Sequence, residues 1–206
     1  MKTNVLKNNR VLILCIYVLA FVLMTWSFRS HAAEAKTTST VKSESLVITT
    51  SMGKIVVKLN GEKAPKTTEN FLKYVEKKQF DGTIFHRVIK GFMIQGGGFT
   101  PDMKEKETMP PIDLEVETGL FNKRGTIAMA RTNDPNSATA QFFINTANNQ
   151  ALDSKSKTSG YAVFGEVTSG MDVVDKIEGV KTTTKNSMGD VPVDVVLIKS
   201  IRKGKK

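Results

Sequence analysis

The chain has little of what many enzymes use for covalent or metal chemistry: one cysteine, two histidines and one tryptophan among 206 residues. The cysteine, Cys15, lies in an apolar run near the N-terminus. A chain that loses this run has no disulfide, no thiol nucleophile and no cysteine metal site. One remaining histidine, His86, also disfavours a metalloenzyme. We therefore expect no metal and no cofactor.

Two motifs of enzyme families are also missing. The nucleophile elbow G-x-S-x-G does not occur, which disfavours a serine hydrolase. The glycine run Gly96–Gly98 is not followed by Gly-Lys-Ser/Thr, so it does not predict a phosphate-binding loop. We expect these glycines to allow tight backbone packing.

The basic residues do not form a stripe interleaved with aromatic side chains. The net charge is +10, but lysines and arginines are scattered over a predicted helix, an acid-containing loop and the C-terminal tail. This distribution disfavours nucleic acid as a partner. It is typical of a solvated surface with some attraction to anionic surfaces.

The N-terminus has the order of an export signal. Basic residues precede the apolar run Val11–Met24, and Ala33-Glu34-Ala35 supplies a small-residue cleavage site. We predict a signal peptide over residues 1–35, cut after Ala35. The run is also near the lower length limit of a spanning helix, so an uncleaved membrane anchor is the alternative. Residues 36–45 are rich in Thr, Ser and Lys and predict a flexible spacer.

The remainder predicts a mainly β domain. Short β-rich runs are separated by turn residues, and two segments have helical spacing, one opening at Pro65 and one over Met171–Ile177. The tally is about eight strands and two helices, with a final strand over Val193–Ile201. Hairpins dominate over βαβ alternation, which favours a closed antiparallel barrel with helices covering its ends.

The stretch Ile84–Gly98 combines an arginine with apolar residues. A strand, a break at Gly91 and a second short strand would bring Arg87 near Gln95, whose amide oxygen could accept from the guanidinium. Phe92 and Met93 would add apolar surface, giving a fixed cation beside a small-ligand pocket. The alternative is an ordinary strand whose arginine extends into solvent.

Two further features bear on this pocket. Phe142 and Phe143 are adjacent in a predicted strand, so one is expected in the core and the other in a groove. His86 is expected to point away from Arg87 and to make a structural hydrogen bond, rather than act as a general base.

The chain closely resembles the cyclophilins, the cyclosporin-binding family of peptidyl-prolyl cis–trans isomerases. The resemblance spans roughly Leu46 to Ile201. It is carried by the motifs Phe85–Gly97, Met129–Arg131, Gln141–Ile144, Leu152–Asp153, Val163–Gly165 and Gly170–Met171.

The resemblance implies an eight-stranded barrel capped by two helices over residues 46–202, followed by a basic tail at 203–206. It implies that Arg87, Gln95 and Phe92 are catalytic. It also implies substrate-binding roles for seven further residues: Met93, Ala130, Arg131, Gln141, Phe143, Leu152 and Tyr161. The apolar floor for proline would be Phe92, Met93, Phe143 and Leu152.

Several positions depart from the family's cyclosporin-binding pattern. Ala151 stands where a tryptophan precedes the leucine, Tyr161 replaces a pocket histidine, and Arg131 replaces an asparagine. The loop after Arg131 is one residue longer. We expect weak cyclosporin binding.

With the export signal, the chain looks most like the bacterial periplasmic cyclophilins. This implies a monomer in the periplasm, or one anchored in the inner membrane and facing it, that acts on proline-containing segments of exported proteins. A cyclophilin-like module that only binds such segments is the alternative. The presence of Arg87, Phe92 and Gln95 together favours the enzyme.

Overall fold

A computed structural model describes residues 43–204. The predicted signal peptide with Cys15, most of the predicted spacer and the last two residues of the tail lie outside this range. Among the described residues, no helix combines the length and the apolar character needed to cross a membrane.

Within residues 43–204, the fold contains ten strands and two α-helices. The helices are α1 (Pro65–Glu76) and α2 (Met171–Glu178). The strands are β1 (Ser45–Thr50), β2 (Lys54–Leu59), β3 (Thr83–Ile89), β4 (Met93–Gly96), β5 (Thr126–Met129), β6 (Phe142–Asn145), β7 (Val163–Ser169), β8 (Thr182–Lys185), β9 (Met188–Pro192) and β10 (Leu197–Lys203).

Eight of these strands close into one antiparallel barrel in the order β1, β10, β3, β4, β6, β5, β7, β2, with β2 returning to β1. The predicted mainly β fold, an eight-stranded closed barrel with two helices, is confirmed. Closure leaves none of these eight strands with an unpaired edge.

The remaining strands, β8 and β9, form a separate two-stranded hairpin that the sequence did not predict. The last barrel strand is also displaced from its prediction. Val193 and Val195 alternate as in a strand, but their residues are 56% and 46% exposed and precede β10. β1 begins at Ser45, within the predicted spacer, and β10 ends at Lys203, within the predicted tail.

The core fills the barrel and extends under both helices. Pro65 opens α1, where its fixed φ suits the first helical turn. Four residues apart on one face, Phe71 and Val75 are buried. The Phe71 ring lies 4.8 to 5.5 Å from the rings of Phe80, Phe142 and Phe164. α2 buries Val173, Val174 and Ile177 in the same cluster.

Candidate active site

Antiparallel register places one row of side chains across five strands of the barrel. Arg87 of β3 pairs with Gln95 of β4, and Gln95 pairs with Phe143 of β6. Phe143 pairs with Ala128 of β5, and Ala128 pairs with Val163 of β7. Directly paired residues project from the same face of a sheet. The row therefore runs from a cation through an amide to an apolar patch.

The next residues along these strands point to the other face and join the main core: Ile94, Ile144 and Ile127. Phe142 and Phe143 likewise point to opposite faces of the sheet. Phe142 is fully buried in the core, whereas Phe143 belongs to a separate apolar cluster. The prediction that the two rings face opposite ways is therefore confirmed.

This second cluster is apolar, separate from the main core, and contains the predicted proline floor; we refer to it as the apolar pocket. Its buried members are Met93, Ala128, Phe143 and Val163. Half-buried apolar residues pack around them: Ile89, Phe92, Leu120, Ala130, Leu152 and Tyr161. The four residues predicted for the proline floor thus lie together, with Ala130 and Tyr161 beside them.

One wall of the apolar pocket is a stack of three side chains. The Tyr161 ring meets the Phe143 ring edge-on, with centroids 5.6 Å apart and planes at 81°. The guanidinium carbon of Arg131 lies 4.8 Å from the centre of the Tyr161 ring. Arg131 also donates from Nε to the Gly160 carbonyl at 2.9 Å and from Nη1 to the Thr132 carbonyl at 2.8 Å.

The polar end of the row opens into a groove of about 310 Å³. It is lined by His86, Arg87, Gln95, Phe99, Gln141, Met188 and Gly189. The predicted residues Arg87, Gln95 and Gln141 therefore share one groove, and Gln95 connects it by register to Phe143. Met188 and Gly189 come from the unpredicted hairpin.

The expected hydrogen bond between Arg87 and Gln95 is not formed. Gln95 instead donates from Nε2 to Oε1 of Gln141 at 2.9 Å. The nearest acidic partner of Arg87 is Asp190 of β9, whose Oδ2 lies 3.8 Å from Nε. The Arg87 and Asp190 side chains are 45% and 46% exposed, so their attraction is weak. The side chain that pairs with Arg87 is therefore Asp190 of the hairpin, and not the predicted Gln95.

His86 also differs from its prediction. Phe85 pairs with Gly96 and Arg87 pairs with Gln95, so His86 is the extra residue of a β-bulge. A bulge interrupts the alternation of faces, and His86 and Arg87 line the same groove. In the part of the chain that the structure describes, no hydrogen-bond partner reaches the buried Nδ1 of His86, and the centre of its ring lies 4.6 Å from that of Phe99.

The chemistry of His86 follows from this environment. Burial, and secondly the charge of Arg87, lower the pKa of His86 to about 4. The side chain is therefore neutral near pH 7. The bulge and the missing hydrogen bond could not be seen in the alternating sequence around His86.

The glycine run packs tightly, as predicted. A Cβ on Gly96 would lie 2.8 Å from the Ile84 carbonyl oxygen. One on Gly98 would lie 2.5 to 2.7 Å from three atoms of the Gln141 side chain. Gly98 therefore leaves the space in which Gln141 reaches Gln95.

A second cavity, of about 550 Å³, has Val163 and Phe121 among its lining residues. Its charged lining mixes both signs, with Lys58 and Lys123 against Glu62 and Glu166. It holds none of the predicted catalytic residues. Within residues 43–204, no cluster of three or more metal-binding side chains is present.

Known proteins share both the sequence and the fold. Residues 45–203 match the family described as cyclophilin type peptidyl-prolyl cis-trans isomerase/CLD. A peptidyl-prolyl cis-trans isomerase of Streptomyces antibioticus is 60% identical over 75% of this chain and 95% of its own length. Peptidyl-prolyl cis-trans isomerase A of Dickeya dadantii is 48% identical over 92% of this chain and 98% of its own length.

A solved structure agrees. The crystal structure of a Cryptosporidium parvum cyclophilin type isomerase has a TM-score of 0.67 and 26% identity, covering 80% of this chain and 99% of that one. A second crystal structure of that protein, in the presence of the dipeptide Ala-Pro, has a TM-score of 0.66 and covers 79% of this chain and all of that chain. Barrel, register and sequence together show that this chain belongs to the cyclophilin-type peptidyl-prolyl cis-trans isomerases.

Proposed function

We propose that the chain is exported to the periplasm and there accelerates rotation about X–Pro bonds in exported proteins, with Arg87 stabilising the transition state. The observation that carries this proposal is the row joining Arg87, through Gln95, to the Phe143 pocket. Arg87 and Phe143 lie on strands two apart, about 10 Å at the usual strand spacing, so the nitrogen of a prolyl ring seated on Phe143 would lie toward the Arg87 side chain.

The reaction needs no covalent step. Resonance gives the X–Pro bond a barrier of about 18–20 kcal/mol. In the half-rotated transition state this resonance is lost and the prolyl nitrogen regains its lone pair. A donor aimed at that nitrogen binds the transition state more tightly than the planar ground state. A guanidinium donates a hydrogen bond without giving up its proton, so this role of Arg87 needs no proton transfer.

The apolar pocket would hold the prolyl ring while the preceding carbonyl turns. Met93 and Phe143 are 2% and 4% exposed, so the floor is a fixed surface with little solvent contact. Phe92 and Leu152 are half-buried at its edge. Holding one side of the bond still restricts the motion to the bond that must rotate.

Gln95 acts in this proposal with Gln141 rather than on Arg87. The amide pair lies in the groove between the cation and the pocket, and Gln141 Nε2 also donates to Oε1 of Glu105 at 3.3 Å. Ala130 and Arg131 would contact the residues before proline. Arg87, half-exposed and only loosely paired with Asp190, is free to turn toward the substrate.

The cellular setting is a proposal from the sequence. Residues 1–35 would direct export, residues 36–45 would link a retained anchor or form the new N-terminus, and the domain over residues 46–202 would act as a monomer. Without cleavage, the domain would face the periplasm from the inner membrane. The substrates would be proline-containing segments of unfolded exported chains, and no cofactor is needed.

The test is cis–trans exchange of an X–Pro peptide, measured by NMR with and without the purified protein. Arg87→Ala should lower kcat/KM about 10²-fold or more while the circular dichroism spectrum is unchanged, because one transition-state donor is removed. Lys90→Ala removes an exposed cation just after β3 and should have little effect.

Equal activity of the Arg87→Ala protein and its parent would reject the role of Arg87. A parent that binds the peptide without accelerating exchange would favour the alternative, a binding module.

A further inference from the structure

Arg131 is a fixed cation at the edge of the apolar pocket. Two backbone carbonyls, of Gly160 and Thr132, accept hydrogen bonds from its Nε and Nη1. Its guanidinium also stacks on Tyr161, the residue that packs edge-on against Phe143. The three contacts hold the group from different directions. They use two of its five N–H donors, so its other donors remain available to a ligand.

Arg131 forms no ion pair among residues 43–204. Every ion pair described in that range joins other residues, and no carboxylate lies within 4.0 Å of this guanidinium. Arg87, at the opposite end of the row, has Asp190 nearby. Among residues 43–204, the rim beside Tyr161 therefore carries a guanidinium that forms no ion pair.

Stacking on Tyr161 leaves the positive charge of Arg131 available to bind an anionic group. An aromatic face attracts a guanidinium without neutralising it, and the ring keeps water from one side of the group. A fixed guanidinium also loses less rotamer entropy on binding a carboxylate than a free lysine does, and its planar fork suits two carboxylate oxygens.

We propose that Arg131, positioned by Tyr161, makes the enzyme prefer proline segments with an aspartate or glutamate among the two residues before the proline. This inference rests on the proposed function, in which Ala130 and Arg131 contact that part of the substrate. The acidic side chain would bind the outward donors of Arg131 while the prolyl ring occupies the Phe143 pocket. Arg131 is thus a specificity-determining residue, and Tyr161 is its positioning residue.

The experiment compares kcat/KM for matched peptides that differ only in carrying Glu, Gln or Lys just before proline, or one position earlier. We expect the Glu peptide to exceed the Gln peptide by about two- to fivefold at one of these positions, and the Lys peptide to be slowest, as for a partly exposed ion pair. The advantage of Glu should shrink in 1 M salt, where the screening length is about 3 Å.

Substitutions test whether the preference for Glu depends on Arg131. Arg131→Gln should bring the Glu-to-Gln ratio close to one, whereas Arg131→Lys keeps the charge and should retain part of it. Tyr161→Phe keeps the ring and should keep the ratio, and Tyr161→Leu should lower it. Lys54→Gln, at the start of β2, a strand that carries no residue of the row, removes the same net charge and should leave the ratio unchanged.

The outcomes separate the two proposals. Acceleration of all peptides to the same degree would overturn the role of Arg131 and leave the isomerase function intact. No acceleration of any peptide by the parent would reject the proposed function itself. A Glu preference that survives in folded Arg131→Gln protein, or that disappears equally in Lys54→Gln protein, would also overturn the assignment, since general electrostatics would then account for it.

Discussion

His86 illustrates how one buried ring can determine the pH dependence of a protein's stability. It lies beside Arg87 in the groove, and its residue is 4% exposed. Burial and the neighbouring cation oppose its protonation, so no inflection of kcat/KM near pH 6.5 is expected from this histidine. The side chain thereby contributes shape to the groove and avoids placing a second positive charge next to Arg87.

The same shift makes stability depend on pH. The pKa of His86 falls from 6.5 in the unfolded chain to about 4 in the fold. Between these two values, the unfolded state binds a proton at His86 and the folded state does not. Stability is therefore complete above pH 6.5 and is lost as the pH falls toward 4. We expect the parent to lose about 3 kcal/mol of unfolding free energy relative to His86→Phe over this interval.

Urea unfolding of both proteins at pH 7.5, 6, 5 and 4 measures this difference. The phenylalanine variant is the matched control, because it keeps an aromatic ring against Phe99 and removes the titration. Parallel curves for the two proteins would contradict the interpretation of His86 as a buried neutral side chain.

At the scale of elements, the β8–β9 hairpin completes the site. It brings Asp190 to 3.8 Å from Arg87 and places Met188 and Gly189 in the groove. Its two-residue turn, Asn186-Ser187, has φ values of 51° and 64°, and Asp190 has a φ of 62°. Positive φ at both central positions matches a type I′ turn, which strongly favours Asn-Gly.

Ser187 is therefore a strained position in this turn. Ser187→Gly removes the steric conflict of a side chain at positive φ and should stabilise the protein by about 1 kcal/mol. For a domain of this size, that corresponds to a rise in Tm of about 2–4 °C, measurable by calorimetry. Thr184→Gly, in the neighbouring strand β8, should lower Tm instead. A lower Tm for Ser187→Gly would show that the serine stabilises the turn.

The sequence predicts the barrel better than this hairpin, for a physical reason. β2 and β6 bury apolar side chains, so the position and length of each strand can be recognised from the run of apolar residues in the sequence. β8 is exposed along its whole length and reads Thr-Thr-Thr-Lys, without alternation. Its turn carries Asn-Ser rather than Asn-Gly. Nothing in that segment signals a strand, although its partner β9 lines the groove.

The candidate site also has a part that could be predicted from the sequence and a part that could not. The proline floor of Phe92, Met93, Phe143 and Leu152 could be predicted because the family motifs contain these residues, whereas Ala128 and Leu120 of the same cluster lie outside the motifs. The partners of the polar groups could not, since the Gln95–Gln141 pair depends on strand register and Asp190 arrives from an unpredicted element. The bulge at His86 changes the face of one residue without changing any sequence pattern.

At the scale of the whole molecule, one aromatic cluster joins the helix α1 to the barrel. Phe71 is fully buried and contacts Phe80, Phe142 and Phe164, which belong to three different segments. Phe142 and Phe143 are consecutive residues of β6, so this one strand contributes to the main core on one face and to the apolar pocket on the other.

Phe71→Ala should therefore destabilise the whole fold. Removing a buried phenyl ring leaves a cavity and costs about 3–5 kcal/mol, a large part of the stability of a single domain. Urea unfolding followed by circular dichroism measures the loss. Val193→Ala truncates a residue that is 56% exposed and should change stability by less than about 0.5 kcal/mol. Equal effects of the two substitutions would contradict the central place of Phe71.

The strands that begin and end the domain lie side by side. Leu46 pairs with Lys203, and the Gly204 amide donates to the Ser45 carbonyl at 2.7 Å. Both chain ends therefore leave the barrel at the same corner. A pulling force applied between them would peel β1 from β10 one rung at a time instead of shearing all the rungs together, so the barrel should yield mechanically at low force however stable it is to heat.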